Sequence, residues 1–174
     1  MDHSIAPLDS SRRDDFFAVL ERSGDEPRTC LCTAFYGVDL AQSGRARACR
    51  DSRIAGQSDG YLLYVDRRPV GWVQCGPLAM FDAVAQTPAE PGAWAITCLV
   101  LAPEARGQGL AHVLFTDVLA ALRARGVPYV IAFGHRLGPT YSSPLAELPE
   151  SVCVKAGMVL VRDHPECPRY GLRL

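Results

Sequence analysis

The chain has 174 residues, 48% of them hydrophobic, with a formal net charge of −1 and seven cysteines. That length suffices for one domain with a sizeable core and is short for two, while the even spread of charge leaves no basic footprint for nucleic acid or an anionic membrane. No apolar run reaches the length of a membrane span, Met1-Asp2-His3-Ser4 does not open a signal peptide, and seven cysteines without one predict free thiols in a reducing, cytoplasmic setting.

In chain order, Ser4–Leu8 is apolar enough for a first strand, and Asp9-Ser10-Ser11 offers N-caps for a helix over Arg12–Arg22 that turns Phe16, Phe17 and Leu20 inward. Asp25–Tyr36 starts irregularly and holds Cys30 and Cys32; Gln42–Ala55 reads as a second helix and Gly56–Gly60 as a loop. Tyr61–Val65 and Pro69–Leu78 form a hairpin across Asp66-Arg67-Arg68. Phe81–Gly92, with two prolines, is a long loop of the kind that carries function. Ala93–Leu101 is a nearly continuous apolar run, suited to a strand buried on both faces. Ala102-Pro103-Glu104-Ala105 breaks it.

Arg106-Gly107-Gln108-Gly109-Leu110-Ala111 then opens a helix with Leu110, Val113, Leu114, Val118, Ala121 and Leu122 at helical spacing, closed by Gly126 and Pro128. A second apolar strand follows over Val127–Phe133. Further on, Leu137–Pro149 is irregular, Glu150–Ala156 is a short helix ending at Gly157, and Met158–Val161 and Tyr170–Leu174 are strands around a proline-rich turn. Trp72 and Trp94 read as core aromatics.

The strand–turn–helix–strand unit over Ala93–Phe133 suggests chemistry. The first turn of a helix has amides without intrahelical partners and partial positive charge, and glycines let an anion approach them closely. A P-loop needs Gly-Lys-Ser/Thr, yet the only lysine is Lys155. A dinucleotide loop needs a third glycine where His112 stands and an acid where Gly134-His135 follows the next strand.

The residues Arg106, Gly109 and Ala111 resemble the coenzyme A loop of the GNAT N-acetyltransferase superfamily, whose pattern is Arg or Gln, two residues, Gly, one residue, then Gly or Ala. The resemblance extends to the preceding strand ending Val100-Leu101-Ala102-Pro103, to the helix that follows, and to the final Gly157-Met158 turn and strand. Thr29-Cys30-Leu31-Cys32-Thr33-Ala34-Phe35-Tyr36 resembles a subset of the superfamily with a Cys-x-Cys segment before its second helix. The implied fold class is α/β: a single acyl-CoA N-acyltransferase domain over residues 1–174, with a mixed, mostly antiparallel sheet flanked by helices.

The resemblance further implies acetyl-CoA as co-substrate, lying in a splay between the strands that end at Leu101 and Phe133. Its pantetheine would pair with backbone groups of Leu99, Val100 and Leu101. Its pyrophosphate would sit on amides of Gly107, Gln108, Gly109, Leu110 and Ala111, with Arg106 fixing the turn. The implied reaction is direct attack of a primary amine on the thioester, with the Leu99 amide stabilising the oxyanion.

Many superfamily members protonate the departing thiolate with a tyrosine four residues before the glycine that ends the last helix; this chain has Cys153 there. Cys153 is then either the acid or an inert apolar residue, and Tyr141 is a second acid candidate. For the base, His135 at the end of the second parallel strand has a suitable ordinary pKa; Asp82, Glu147 and Glu150 follow it, and a water chain would also serve. His112 is expected to face solvent. Cys30 and Cys32 lie too close for a zinc knuckle and have only the loose pair His164 and Cys167 to complete one, so no metal is expected. The expected function is acetyl-CoA-dependent N-acetylation of a small-molecule or protein amine, with no nucleic acid or membrane partner and a homodimer left open. A coenzyme A-binding module without catalysis and a thiol or zinc protein built on Cys30 and Cys32 are the competing readings. The acceptor is set by Asp25–Ala55, Phe81–Gly92 and Leu137–Pro149, which match no pattern.

Overall fold

The computed structural model describes residues 2–23, 33–36, 45–56, 60–136 and 148–174. Asp9 caps a short turn at Ser10–Arg12 by accepting from the Ser11 amide at 2.9 Å, and the helix proper, α1, follows at Arg13–Arg22 after strand β1 at His3–Pro7. Helix α2 spans Arg45–Gly56. Strands β2 (Gly60–Val65) and β3 (Arg68–Pro77) turn at Asp66 and Arg67, both with positive φ, as a two-residue hairpin matched to strand twist requires.

Strand β4 (Trp94–Leu101) leads to helix α3 (Leu110–Ala124) and strand β5 (Tyr129–His135). A two-residue strand β6 (Leu148–Pro149), helix α4 (Glu150–Lys155), β7 (Val159–Arg162) and β8 (Arg169–Arg173) complete the order. The sheet runs β1-β2-β3-β4-β5-β8-β7, with β6 beside β5. Among the described residues only β4–β5 and β5–β6 are parallel, so the sheet is mixed and mostly antiparallel.

Helix α3 starts at Leu110 rather than at Arg106, because Gly107 and Gly109 adopt left-handed φ of 72° and 78° and hold the chain in a turn until then. Its buried face is Leu110, Leu114, Phe115, Val118, Leu119 and Leu122; Val113 and Ala121 lie at its margin, and His112 is half-buried instead of solvent-facing. The helix closes in a Schellman motif, with Gly126 N–H bonding Arg123 O at 2.9 Å and Val127 N–H bonding Leu122 O at 3.1 Å. Helix α4 ends the same way, through Gly157 to Val154 and Met158 to Cys153.

Side-chain alternation along β4 separates two faces. Ile96 and Leu99 join α3 and α4 in one core with Leu114, Val118, Val152 and Cys153. Cys98 and Val100 join Trp72 against Phe16, Leu20 and Ile54 of α1 and α2 on the other. Farther along that second face, Ala95, Ile131 and Phe133 pack with Phe35, Tyr36 and Phe81. No helix among the described residues is long and apolar enough to cross a membrane.

Candidate active site

The decisive local feature is an extra residue in β4. Gln74 of β3 faces Cys98 and the next residue, Cys75, faces Ile96, so Thr97 is bulged out of the ladder. Thr97 and Gln74 are both fully buried, and the Thr97 hydroxyl donates to Gln74 Oε1 at 2.8 Å, which pins the bulge. Parallel pairing of β4 with β5 covers only Trp94–Val130, Ala95–Ile131 and Ile96–Ala132, and stops at the bulge. Beyond it the strands part. On the β5 side of this splay, Leu148 and Pro149 pair with Gly134 and His135.

The free edge of β4 exposes a defined set of backbone groups. Ala102 N–H donates to Val70 O at 2.9 Å, so in this antiparallel ladder the alternate pairs Trp72–Val100 and Gln74–Cys98 also exchange bonds with β3. The amides and carbonyls of Leu99 and Leu101 therefore point away from β3 and into the splay. Val100 turns its backbone to Trp72, which narrows the expectation for this stretch: only Leu99 and Leu101 can offer backbone groups to a guest strand.

Arg106 sits where this edge meets the glycine turn. Its Nε donates to Leu101 O at 3.1 Å and its Nη2 to Ser23 O, at the carboxyl end of α1. Arg22 reaches Glu104 Oε1 at 2.7 Å and Gln108 Nε2 donates to Glu104 O at 2.6 Å. The turn is thus braced from α1 on one side and from β4 on the other. The first intrahelical bonds of α3 come from His112 and Val113 to Gly109 O, at 3.0 and 3.3 Å, so the amides of Gly107, Gln108, Gly109, Leu110 and Ala111 all precede them. A Cβ added at Gly107 or Gly109 would meet no atom within 4 Å. The cradle is open, and its donors and helix dipole suit a phosphate.

Around the splay stand groups of very different availability. Cys153 is completely buried on α4 among Leu148, Val152 and Met158, and burial pushes its thiol up to about 12. A thiol that holds its proton so tightly is a poor donor to an ordinary thiolate, whose own pKa is about 8.5. His135 ends β5, half-buried and opposite Pro149. Glu150 is engaged: Arg136 Nε meets both of its oxygens, at 3.0 and 3.1 Å, and the Tyr170 hydroxyl donates to Oε1. The guanidinium, and then that hydroxyl, hold its carboxyl below the usual carboxylate range. Arg136 also bonds Asp163 at 2.6 Å, so one arginine ties the end of β5 to α4 and to the β7–β8 hairpin.

Asp82 lies exposed in the turns that follow Phe81. His164 spends its Nδ1 as acceptor for the amides of Glu166 and Cys167, at 3.2 and 3.0 Å. Tyr141, Glu147, Cys30 and Cys32 fall outside the described residues.

Two comparisons bear on this arrangement. Residues 14–138 match the model of the Acetyltransferase (GNAT) family. The chain belongs to that family. It is accordingly an acyltransferase, with the mixed sheet and flanking helices of the GNAT fold. Among solved structures, the paia N-acetyltransferase of Thermoplasma acidophilum, in complex with coenzyme A, is similar at 12% identity, with all of both chains covered and a TM-score of 0.60. A GNAT family acetyltransferase from Brucella melitensis in complex with acetyl-CoA has 15% identity, 99% and 88% coverage and a TM-score of 0.57. An aminoglycoside acetyltransferase in complex with coenzyme A has 16% identity, 99% and 95% coverage and a TM-score of 0.65. At these identities the likeness is one of fold. No curated protein matches the sequence.

The sequence reading missed the Thr97–Gln74 pin and the Arg136–Glu150–Tyr170 network. A signal for the first was present: Thr97 and Gln74 are polar residues inside otherwise apolar strands, and a buried polar group needs a partner. Nothing local announces the second, whose members are brought together by the pairing of β8 with β5.

Proposed function

We propose that this protein is an N-acetyltransferase that moves the acetyl group of acetyl-CoA to a primary amine within a ternary complex. The observation that carries the reading is the open glycine cradle at Gly107 and Gly109, next to the outward-facing backbone of Leu99 and Leu101. A phosphate-bearing, strand-like molecule fits that juxtaposition: its anionic end meets the amides of residues 107–111 and its amide-rich arm continues along β4. Arg106 positions the turn and places positive charge at its rim.

In this reading the neutral amine attacks the thioester carbonyl carbon and the new C–N bond forms from its lone pair. The Leu99 N–H donates to the oxygen that becomes negative, in a splay already shaped by the bulge, so little reorganisation accompanies the charge. Collapse breaks the C–S bond, and the thiolate and the ammonium proton leave separately. His135, at the carboxyl end of β5, is the side chain best placed to accept that proton, directly or through water. Burial, which keeps the Cys153 thiol protonated up to about 12, supports a packing role for it, and in this reading the proton for the thiolate comes from another donor or from water.

Calorimetric titration of acetyl-CoA into wild type and Gly109→Trp tests the cofactor site, and release of free thiol on an amine panel tests the chemistry. Saturable binding lost in a folded Gly109→Trp variant, together with turnover of at least one amine, is the expected result. Binding without any turnover would reduce the protein to a coenzyme A-binding module. No binding would remove the acetyl-CoA assignment itself.

A further inference from the structure

One face of the sheet packs against α3 and α4 and the other against α1 and α2. On the second of these faces β5 carries the buried Phe133, whose ring lies against Phe35 with centroids 5.9 Å apart. The guanidinium of Arg169, at the start of β8, sits over the same Phe133 ring at 5.5 Å. Directly across the β7–β8 ladder from Arg169 is Arg162. Two like charges at opposed positions of an antiparallel pair repel, and here neither guanidinium has a carboxylate partner among the described residues.

The contrast with the other arginines is informative. Arg13 is paired with Asp51 at 2.9 Å, Arg22 with Glu104 at 2.7 Å and Arg136 with Glu150 and Asp163. Arg50 is fully buried over Phe16 and Trp72 as part of the core. Arg169 is half-buried, and desolvation together with the charge of Arg162 pushes its pKa down, so holding it there costs the apo protein electrostatic energy. An oxyanion placed between the two guanidiniums would turn that repulsion into charge-assisted hydrogen bonds of the kind arginine makes best.

We propose that Arg169, supported by Arg162, is the anion-binding point of the acceptor site, so that the amine this protein acetylates carries a carboxylate or a phosphate. The inference rests on the acetyltransferase reading for its reaction, but the anion site itself can be tested by binding alone. The oxyanion of the acceptor lies on Arg169, and its amine reaches toward His135 and the splay.

The test compares matched amines: L-phenylalanine, 4-aminobutyrate and 6-aminohexanoate, each with its carboxamide, and O-phosphoethanolamine with ethanolamine. Acetyl-CoA-dependent turnover is measured for wild type, Arg169→Gln and Arg169→Lys. The same amines are titrated calorimetrically with and without saturating coenzyme A. The expected result is a preference of at least about tenfold in kcat/KM for the anionic member of one pair. That preference should appear mainly in KM, vanish in Arg169→Gln and return in part in Arg169→Lys. Whether the preferred pair is a carboxylate or the phosphate identifies the source of the anion. Acetyl-CoA affinity should match wild type in both variants and Tm should not fall in Arg169→Gln, which separates a recognition role from a structural one.

Turnover confined to the neutral members, or a preference that survives Arg169→Gln, would overturn the inference while leaving the acetyltransferase reading intact. Failure of acetyl-CoA to bind would overturn that reading instead. Failure of every anionic amine to bind, in either state, would overturn the anion site whatever acetyl-CoA does.

Discussion

Gly109 and Gly126 allow backbone strain and cofactor recognition to be separated on a single helix. Gly109 precedes α3 with φ of 78°, Gly126 follows it with φ of 74°, and at both an added Cβ meets nothing within 4 Å. An L side chain in the left-handed region costs roughly 1–2 kcal/mol, so Gly109→Ala and Gly126→Ala should destabilise the fold about equally. With an unfolding entropy of about 2.1 cal/mol/K per residue, that cost over a chain of this size lowers Tm by roughly 3–5 °C. The two variants should part company at the cofactor. A methyl at Gly109 enters the cradle and lifts a phosphate from one amide, a charge-assisted contact worth about 1.5–3 kcal/mol, so the acetyl-CoA Kd should rise roughly 10- to 100-fold. Gly126→Ala, a helix length away, should bind as wild type does. Thermal melts and titration calorimetry on the two variants read both quantities. Equal loss of affinity in both, or none in Gly109→Ala, would refute the assignment of the turn as the anion cradle.

Three further expectations follow from contacts already described. Thr97→Val removes the hydroxyl that pins the β4 bulge to Gln74; losing a buried hydrogen bond should cost about 1–3 kcal/mol, or roughly 3–8 °C in Tm, and Thr97→Ser, which keeps the hydroxyl, should retain more of the acetyl-CoA affinity by calorimetry. Glu150 has a depressed carboxyl pKa, chiefly from Arg136, so its contribution to stability is present above the ordinary carboxylate range and is lost as pH falls through the folded-state value; Glu150→Gln should therefore flatten the acid limb of a plot of Tm against pH. Burial keeps the Cys153 thiol protonated up to about 12, so it should resist a thiol reagent at pH 8 until the protein is denatured, and Cys153→Ala should leave the pH profile of kcat unchanged.

Much of the fold is legible because its signals are local. The apolar run of β4, the left-handed glycines before α3 and the Gly126-Val127-Pro128 stop each depend on residues within a few positions of one another. Boundaries moved by a few residues where turn chemistry competed with helical periodicity, as at Arg106–Gly109. Register is another matter. Whether Leu99 or Val100 shows its amide to the splay depends on which residue of β3 lies opposite, and a single bulged residue at Thr97 resets that answer.

The insertion of β8 between β5 and β7 has the same character. It sets Arg169 beside Phe133 and opposite Arg162, and Tyr170 within reach of Glu150, although these residues are scattered along the chain. By itself the sequence determined the succession of elements and the glycine cradle, because period and turn propensity are properties of short segments. The tertiary structure alone decided which backbone groups line the splay and which charges and rings meet across β5, β8 and β7, because strand pairing joins residues that no local pattern connects.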